Sequence, residues 1–175
     1  MKNKIRLGIL YGGKSGEHEV SLQTALSVMQ ALNLERYDIY PIYITLEGTW
    51  HFGPRLPEPP KSVYQLRLLE NNQPLQVSSS HNPLAPASVS LAEAVQLDVV
   101  FPLLHGPNGE DGTIQGMLEL ANIPYVGAGV LASAVGMDKA MMKTVFARHG
   151  LPQVNYLVYT RYDWEQHPEP ILDEI

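Results

Sequence analysis

Runs of apolar residues alternate with glycine-bearing turns along the first 50 residues of the chain. Residues 5–11 are almost continuously apolar, which is typical of a strand buried on both faces. A helix is predicted next, because apolar residues recur at helical spacing at Leu22, Ala25, Met29 and Leu32. Residues 37–45 predict a second strand. This strand–helix–strand order predicts a right-handed βαβ unit, a parallel sheet and hence an α/β fold.

The pattern breaks between residues 53 and 96, a stretch that holds seven of the 14 prolines of the chain. Such a composition predicts a long surface excursion, with short strands or turns near residues 62–69 and 75–77. Regular patterning returns at residues 97–104, where an apolar run predicts another buried strand.

Further elements are predicted after this strand. A helix over residues 113–122 would present a core face that consists of Ile114, Met117, Leu118 and Ala121. A short strand at residues 125–126 and a small helix at residues 131–135 follow. Asp138 is a suitable N-cap for the next helix. The inward face of that helix is predicted to consist of Met141, Met142, Val145 and Phe146.

Gly150 and Pro152 are expected to end this last helix. Residues 154–160 alternate between apolar and polar positions like a strand, which we expect to open a second domain. The sequence therefore predicts an N-terminal domain over residues 1–150 and the incomplete start of another domain over residues 151–175.

Composition excludes several classes of function. The chain has 12 basic and 18 acidic residues, a net charge of −6, and no long run of Lys or Arg, so no nucleic-acid partner is expected. Its lack of cysteine excludes disulfides and thiolate metal sites, and we predict no metal ligand. No apolar stretch approaches a membrane span or a signal peptide, so we expect a cytoplasmic protein without a membrane partner.

Residues 8–15 match the phosphate-loop pattern G-x-x-x-x-G-K-[ST]. We reject this match, because residues 9–11 continue the apolar run and place Gly8 inside the strand. Glu17 and Glu19 follow closely, and their carboxylates would repel a triphosphate. The loop therefore suits a cation better than a phosphate.

Glu17 lies where the first strand ends, so it could hold a substrate ammonium. Alternatively, Glu17 and Glu19 only complement the helix dipole. His105 follows the strand at residues 97–104, at the edge of the sheet where open α/β folds bind ligands. It could donate to a carboxylate or carry a proton, or it could be a satisfied core histidine. Glu110 and Asp111, by contrast, are interpreted as turn and cap residues.

Lys139 directly follows the predicted cap Asp138, which places a positive charge at the positive end of a helix. A lysine in this position either reaches an anion, such as a nucleotide phosphate, or is solvated and paired with Asp138. The sequence pattern leaves both interpretations open.

Three segments together resemble the D-alanine–D-alanine ligase family. They are Gly12-Gly13-Lys14-Ser15-Gly16-Glu17-His18-Glu19-Val20-Ser21, then His105-Gly106 with Gly109-Glu110-Asp111-Gly112 and Gln115-Gly116-Met117-Leu118, and finally Met137-Asp138-Lys139. The segments occur in that family's order, and the resemblance extends from residue 5 to about residue 160. It implies an ATP-grasp enzyme. The N-terminal domain would be a Rossmann-like parallel sheet with helices on both faces (a pre-ATP-grasp domain), followed by the beginning of an ATP-grasp central domain.

The resemblance also implies roles for single residues. Glu17 would bind the ammonium of the first D-alanine, His105 would assist with its carboxylate as the second catalytic residue, and Lys139 would contact ATP phosphate. The implied reaction converts the carboxylate of one D-alanine to an acyl phosphate, which the amine of a second D-alanine attacks to form a dipeptide for peptidoglycan. ATP and Mg²⁺ are implied, with the magnesium ligands outside this chain, and so is a homodimer.

Members of this family are considerably longer than 175 residues. We therefore expect this chain to supply the N-terminal substrate-binding part of a ligase, as a truncated piece or a shortened protein, and to be inactive alone. A self-standing amino-acid-binding or regulatory domain is the alternative, which a natural stop after Ile175 would support. A third hypothesis is a phosphate-loop nucleotidase, which requires Lys14 to contact phosphate.

Overall fold

The computed structural model describes residues 4–67 and 97–175. The described residues form two compact units that divide between Met137 and Asp138. The predicted division of the domains at residue 150 stays a prediction. Within the described ranges, no helix is both long enough and apolar enough to cross a membrane.

The first unit is built on a four-stranded sheet with the order β3-β2-β1-β4. Its strands are β1 (Ile5–Gly12), β2 (Tyr37–Ile44), β3 (Trp50–Phe52) and β4 (Val99–Pro102). β1 pairs in parallel with both β2 and β4, which confirms the predicted parallel core of the sheet. The edge strand β3 was not predicted, and it pairs antiparallel to β2. The sheet is therefore mixed, because a tight hairpin turn joins β2 to β3.

Four described helices belong to this unit: α1 (His18–Ala31), α2 (Val63–Arg67), α3 (Thr113–Leu120) and α4 (Val130–Met137). The predicted short strand or turn near residues 62–69 is wrong, since α2 lies there. The element predicted at residues 75–77 lies outside the described residues. The strand predicted at residues 125–126 exists only as a single bridge between Val100 and Tyr125.

The core lies on both faces of the sheet, because successive side chains of a strand point to opposite sides. On one face, Leu7, Ile9 and Tyr11 of β1 pack with residues of α1 and α2. On the other face, Leu10 and Val100 pack with residues of α3. The predicted arrangement of helices on both faces is confirmed. Since both faces are covered, the open ends of the strands are the natural place for a ligand.

The second unit contains α5 (Lys139–Arg148), α6 (Arg161–Gln166) and α7 (Pro168–Glu174). Asp138 caps α5 as predicted, since its carboxylate accepts a hydrogen bond from the Met141 amide at 3.0 Å. The four side chains predicted to face inward from α5 are not buried. That prediction is wrong, because this small unit buries only Ile171 among its large apolar side chains.

Two further predictions about the second unit are also wrong. Residues 154–160 form no strand among the described residues, because a strand requires a hydrogen-bonded neighbour and none is present there. The prolines after residue 160 predict an irregular tail that holds the last acids of the chain, but these acids all lie on α6 and α7: Asp163, Glu165, Glu169, Asp173 and Glu174. Thr160 and Asp163 form a reciprocal capping box that starts α6.

Arg6 and Asp98 tie the start of β1 to the residue before β4. The Arg6 amide and guanidinium both donate to the Asp98 carboxylate, each at 2.7 Å. These hydrogen bonds, from the Arg6 side chain above all, hold the pKa of Asp98 at about 2, below its usual value of 3.8. The two side chains are 37% and 42% exposed, so water and salt weaken the pair.

We predict that the free energy of unfolding of Asp98→Asn depends less on pH below about pH 4 than that of the wild type. The folded-state pKa of Asp98 is lowered, so its contribution is fully present above about pH 4 and is lost as the pH falls towards 2. The urea midpoint of the wild type should therefore fall more steeply than that of Asp98→Asn between about pH 4 and pH 2. Parallel midpoint curves would contradict the prediction.

Candidate functional site

The loop between β1 and α1 depends on a glycine that no other residue could replace without distortion. Gly12 has a φ of +90°, and a Cβ there would lie 2.1 Å from the carbonyl oxygen of Ile44. Gly8 lies inside β1, and α1 begins at His18 rather than at Lys14. Both facts confirm that the phosphate-loop match is accidental.

His18 anchors this loop from inside the protein, and the sequence did not reveal it as a structural residue. Its side chain is buried, and its Nδ1 lies 2.8 Å from the carbonyl oxygen of Gly13. A carbonyl only accepts, so Nδ1 carries the proton. Nε2, 3.1 Å from the Tyr43 hydroxyl, therefore accepts a hydrogen bond from Tyr43. These two hydrogen bonds fix the ring between the loop and β2.

Two serine hydroxyls join the loop after β1 to the loop after β4. The buried Ser21 Oγ accepts from the Gly12 amide at 2.8 Å and donates to the carbonyl oxygen of Leu103 at 2.5 Å. The Ser15 hydroxyl donates to the backbone carbonyl of His105 at 2.7 Å. These contacts hold the two predicted site loops side by side.

Glu17 occupies the N-cap position of α1, is exposed, and makes no capping hydrogen bond with its side chain. Its carboxylate lies against Gly106, since a Cβ on Gly106 would fall 2.7 Å from Glu17 Oε2. The Glu17 carboxylate and the turn that begins at His105 are therefore neighbours, as predicted from their positions after two strands. Gly106 has a φ of +73°, which favours glycine at this position.

His105 is half-buried, and its ring Nε2 lies 3.0 Å from the Thr24 hydroxyl on α1. It is not a core histidine, because it borders a cleft of about 190 Å³ at the carboxyl edge of the sheet. The residues that line this rim cleft are Gly13, Lys14, Ile44, Gly48, Trp50, Leu104, His105, Pro107, Asn108, Gly109 and Ile114. Glu17 is not one of them, so its carboxylate lies beside the rim cleft and not in its wall.

The turn after His105 is closed by its own acidic residues. Glu110 accepts from the Gly106 amide at 2.7 Å. Asp111 accepts from the amides of Asn108 and Thr113, at 2.8 and 3.0 Å. Partial burial opposes ionisation of Asp111, but these hydrogen bonds outweigh it and lower its pKa. The interpretation of both acids as turn residues is confirmed, while the N-cap of α3 is Gly112.

Two other charged residues considered from sequence have different surroundings. Glu19, in the first turn of α1, forms an ion pair with Arg67 of α2, which gives its carboxylate a structural partner. Lys139 is the first residue of α5 and lies in the second compact unit, where Asp138 caps the helix. The structure brings the Glu17 carboxylate to the turn that starts at His105, and the roles of Glu17, His105 and Lys139 stay predictions.

Comparison with known proteins identifies this architecture. Residues 6–128 match the family model described as "D-ala D-ala ligase N-terminus". The chain belongs to the D-alanine–D-alanine ligase family. Over 166 residues it is 55% identical to a protein of Bacillus velezensis named D-alanine--D-alanine ligase, an alignment that covers 95% of this chain and 47% of that protein. The chain thus spans about half the length of the curated relatives it matches.

Solved structures support the same assignment. The VanG D-Ala:D-Ser ligase of Enterococcus faecalis is 31% identical, with a TM-score of 0.70 over 99% of this chain and 50% of that one. The D-alanine-D-alanine ligase of Coxiella burnetii is also 31% identical, with a TM-score of 0.71 over 98% of this chain and 50% of that one. The names of these two ligases give different substrates, although both proteins are 31% identical to this chain.

We predict that Ser21→Ala destabilises the chain by about 1–3 kcal/mol, because the buried Gly12 amide and Leu103 carbonyl both lose their hydroxyl partner. Urea denaturation followed by circular dichroism measures this change. Ser27→Ala is the matched control on the same helix, since the exposed Ser27 hydroxyl bonds only within α1, to the Gln23 carbonyl. Equal midpoint shifts for the two variants would contradict the bridging role of Ser21.

Proposed function

We propose that this chain supplies the N-terminal, substrate-binding part of an ATP-dependent ligase that joins two D-alanines for peptidoglycan synthesis. The observation that carries the proposal is the contact between the Glu17 carboxylate and the turn that starts at His105. Family membership supports the same function. It favours a ligase part over a self-standing binding or regulatory domain, because the alignment covers 95% of this chain but only 47% of a protein named D-alanine--D-alanine ligase.

In the proposed site, the two side chains divide the recognition of an amino acid. The exposed carboxylate of Glu17 is suited to the ammonium of the first D-alanine, because the opposite charges attract and form a charge-assisted hydrogen bond. The imidazolium form of His105 is suited to the carboxylate, towards which its second ring N–H can donate. The Ser15 hydroxyl keeps both loops in register by binding the backbone of His105.

ATP and Mg²⁺ are the cofactors of the proposed reaction. When bound, ATP would supply the phosphoryl group that converts a poor electrophile, the D-alanine carboxylate, to an acyl phosphate with release of ADP, and Mg²⁺ would neutralise charge on the transferring group. Lys139, at the N-terminal end of α5, supplies a positive charge that suits phosphate, and Lys139 would hold it there. The described ranges contain no group of three or more acidic or histidine residues that could hold a metal ion. We therefore assign no magnesium ligand to them.

The residues described here recognise only one amino acid. The selection of the second substrate, whether D-alanine, D-serine or D-lactate, is accordingly assigned to other parts of the full enzyme. A cytoplasmic location and a homodimer complete the proposal.

The proposal is tested by a chimera in which this chain replaces the matching half of the Bacillus velezensis ligase. We expect D-alanine-dependent phosphate release from the chimera. Glu17→Gln should lower kcat/KM for D-alanine roughly 10- to 100-fold, as expected for loss of a charged hydrogen bond of about 1.5–3 kcal/mol. Glu35→Gln, an exposed acid beyond the other end of α1, is the control. A folded chimera without activity, or an equal effect of both variants, would contradict the proposal.

In the same chimera, Lys139→Ala should raise KM for ATP by about tenfold or more, because it removes a positive charge from the proposed phosphate site. Lys143→Ala is the matched control, one turn further along α5. The Lys143 ammonium lies 4.5 Å from the centre of the Tyr156 ring and is therefore engaged elsewhere. An unchanged KM for ATP in Lys139→Ala would exclude the assigned role.

A further inference from the structure

The imidazole of His105 has two nitrogens, and in the neutral ring only one carries a proton. Which one does so decides what the ring can offer to a ligand. Nε2 is the nitrogen engaged by the protein, since it lies 3.0 Å from Thr24 Oγ1. The chemistry of that single contact depends on the direction of its hydrogen bond.

The Thr24 hydroxyl has only one proton, and a second contact occupies it. Thr24 Oγ1 lies 2.9 Å from the backbone carbonyl oxygen of Val20, one turn earlier on α1. A carbonyl oxygen has no proton to give, so the hydroxyl donates to Val20. Towards His105, Thr24 Oγ1 is then restricted to the role of acceptor. Nε2 of His105 must therefore carry a proton.

We propose that Thr24 is a positioning residue that holds His105 in the Nε2–H tautomer. The proton-exchanging atom of the ring is consequently Nδ1. In the neutral ring Nδ1 accepts a hydrogen bond, and in the imidazolium it donates one while Nε2 stays bound to Thr24. The catalytic meaning of this arrangement rests on the proposed function, whereas the tautomer itself does not.

Two independent contacts support a fixed ring. The Ser15 hydroxyl holds the backbone of His105 from the loop after β1, and the Thr24 hydroxyl holds its side chain from α1. His105 is thus attached to the same helix whose N-cap is Glu17. Rotation of the imidazole would break the Thr24 contact, so the ring that would meet the substrate carboxylate is oriented before the substrate arrives.

The tautomer can be measured by ¹⁵N NMR of the histidine side chains in this 175-residue chain. A pH of about 8 keeps imidazoles with an ordinary pKa of about 6.5 neutral. His105→Gln identifies the signals of His105. We expect the wild type and Thr24→Ser to show the Nε2–H tautomer at His105, and Thr24→Val to show a mixture of tautomers or the Nδ1–H form. Ser27→Ala should match the wild type.

His18 provides an internal control for folding, because its contacts require the opposite, Nδ1–H tautomer. Its signals should stay unchanged in Thr24→Val. An Nδ1–H tautomer at His105 in the wild type, or an unchanged tautomer in a Thr24→Val chain whose His18 signals persist, would overturn the proposal. If Thr24→Val disturbs the His18 signals as well, Thr24→Ser must retain the Nε2–H form, and its failure to do so would overturn the proposal equally.

This measurement needs no ligase activity, so it separates the two proposals. In the chimera, Thr24→Val should lower kcat/KM for D-alanine about tenfold, and Thr24→Ser should restore it. A chimera without activity, together with the expected NMR result, would reject the proposed function and leave the tautomer assignment intact.

Discussion

One buried hydroxyl connects the parts of this structure on which a ligand site depends. Ser21 Oγ joins the amide of Gly12, where β1 ends, to the carbonyl of Leu103, just beyond β4. Adjacent parallel strands already place their carboxyl ends at the same edge. The hydroxyl then sets how closely the two following loops approach each other. The contact between Glu17 and the turn at His105 follows from this closure, which Ser15 reinforces nearby.

Much of the fold could be predicted from the sequence, because long elements repeat their pattern. β1, β2 and α3 were predicted within a few residues of their observed bounds for this reason, and α1 was predicted from its core-facing positions. β3 spans only three residues, too few to show a period, and α2 lies in a proline-rich stretch that suggested turns. The strand expected at residues 154–160 failed for another reason. Alternation describes a face to be buried, but it does not supply the neighbouring strand that a sheet requires.

The candidate site was predicted unevenly. Glu17 and His105 could be identified because each follows a predicted strand directly, and such positions meet at one edge of a parallel sheet. His18 could not be identified, because its side-chain partner Tyr43 lies 25 positions away on another element. Ser21 and Thr24 could not, since short polar residues on a helix give no signal of partners some 80 positions away. Their roles arise only when α1 packs beside the loop after β4. The supporting residues of a site are therefore harder to read from a sequence than the residues that touch a ligand.

Lys14 shows how a short motif can mislead when the backbone around it is ignored. The methylenes of Lys14 lie across Gly48 in the β2–β3 hairpin turn, since a Cβ on Gly48 would fall 2.6 Å from Lys14 Cδ. The methylenes of its side chain pack between two loops, and the ammonium lies at the end of this apolar stem. If Lys14 bound a triphosphate as in a phosphate loop, its methylenes would have to leave the hairpin, and the space next to Gly48 would be empty. In this chain, therefore, the packing of Lys14 against the hairpin after β2 argues against the phosphate-loop match.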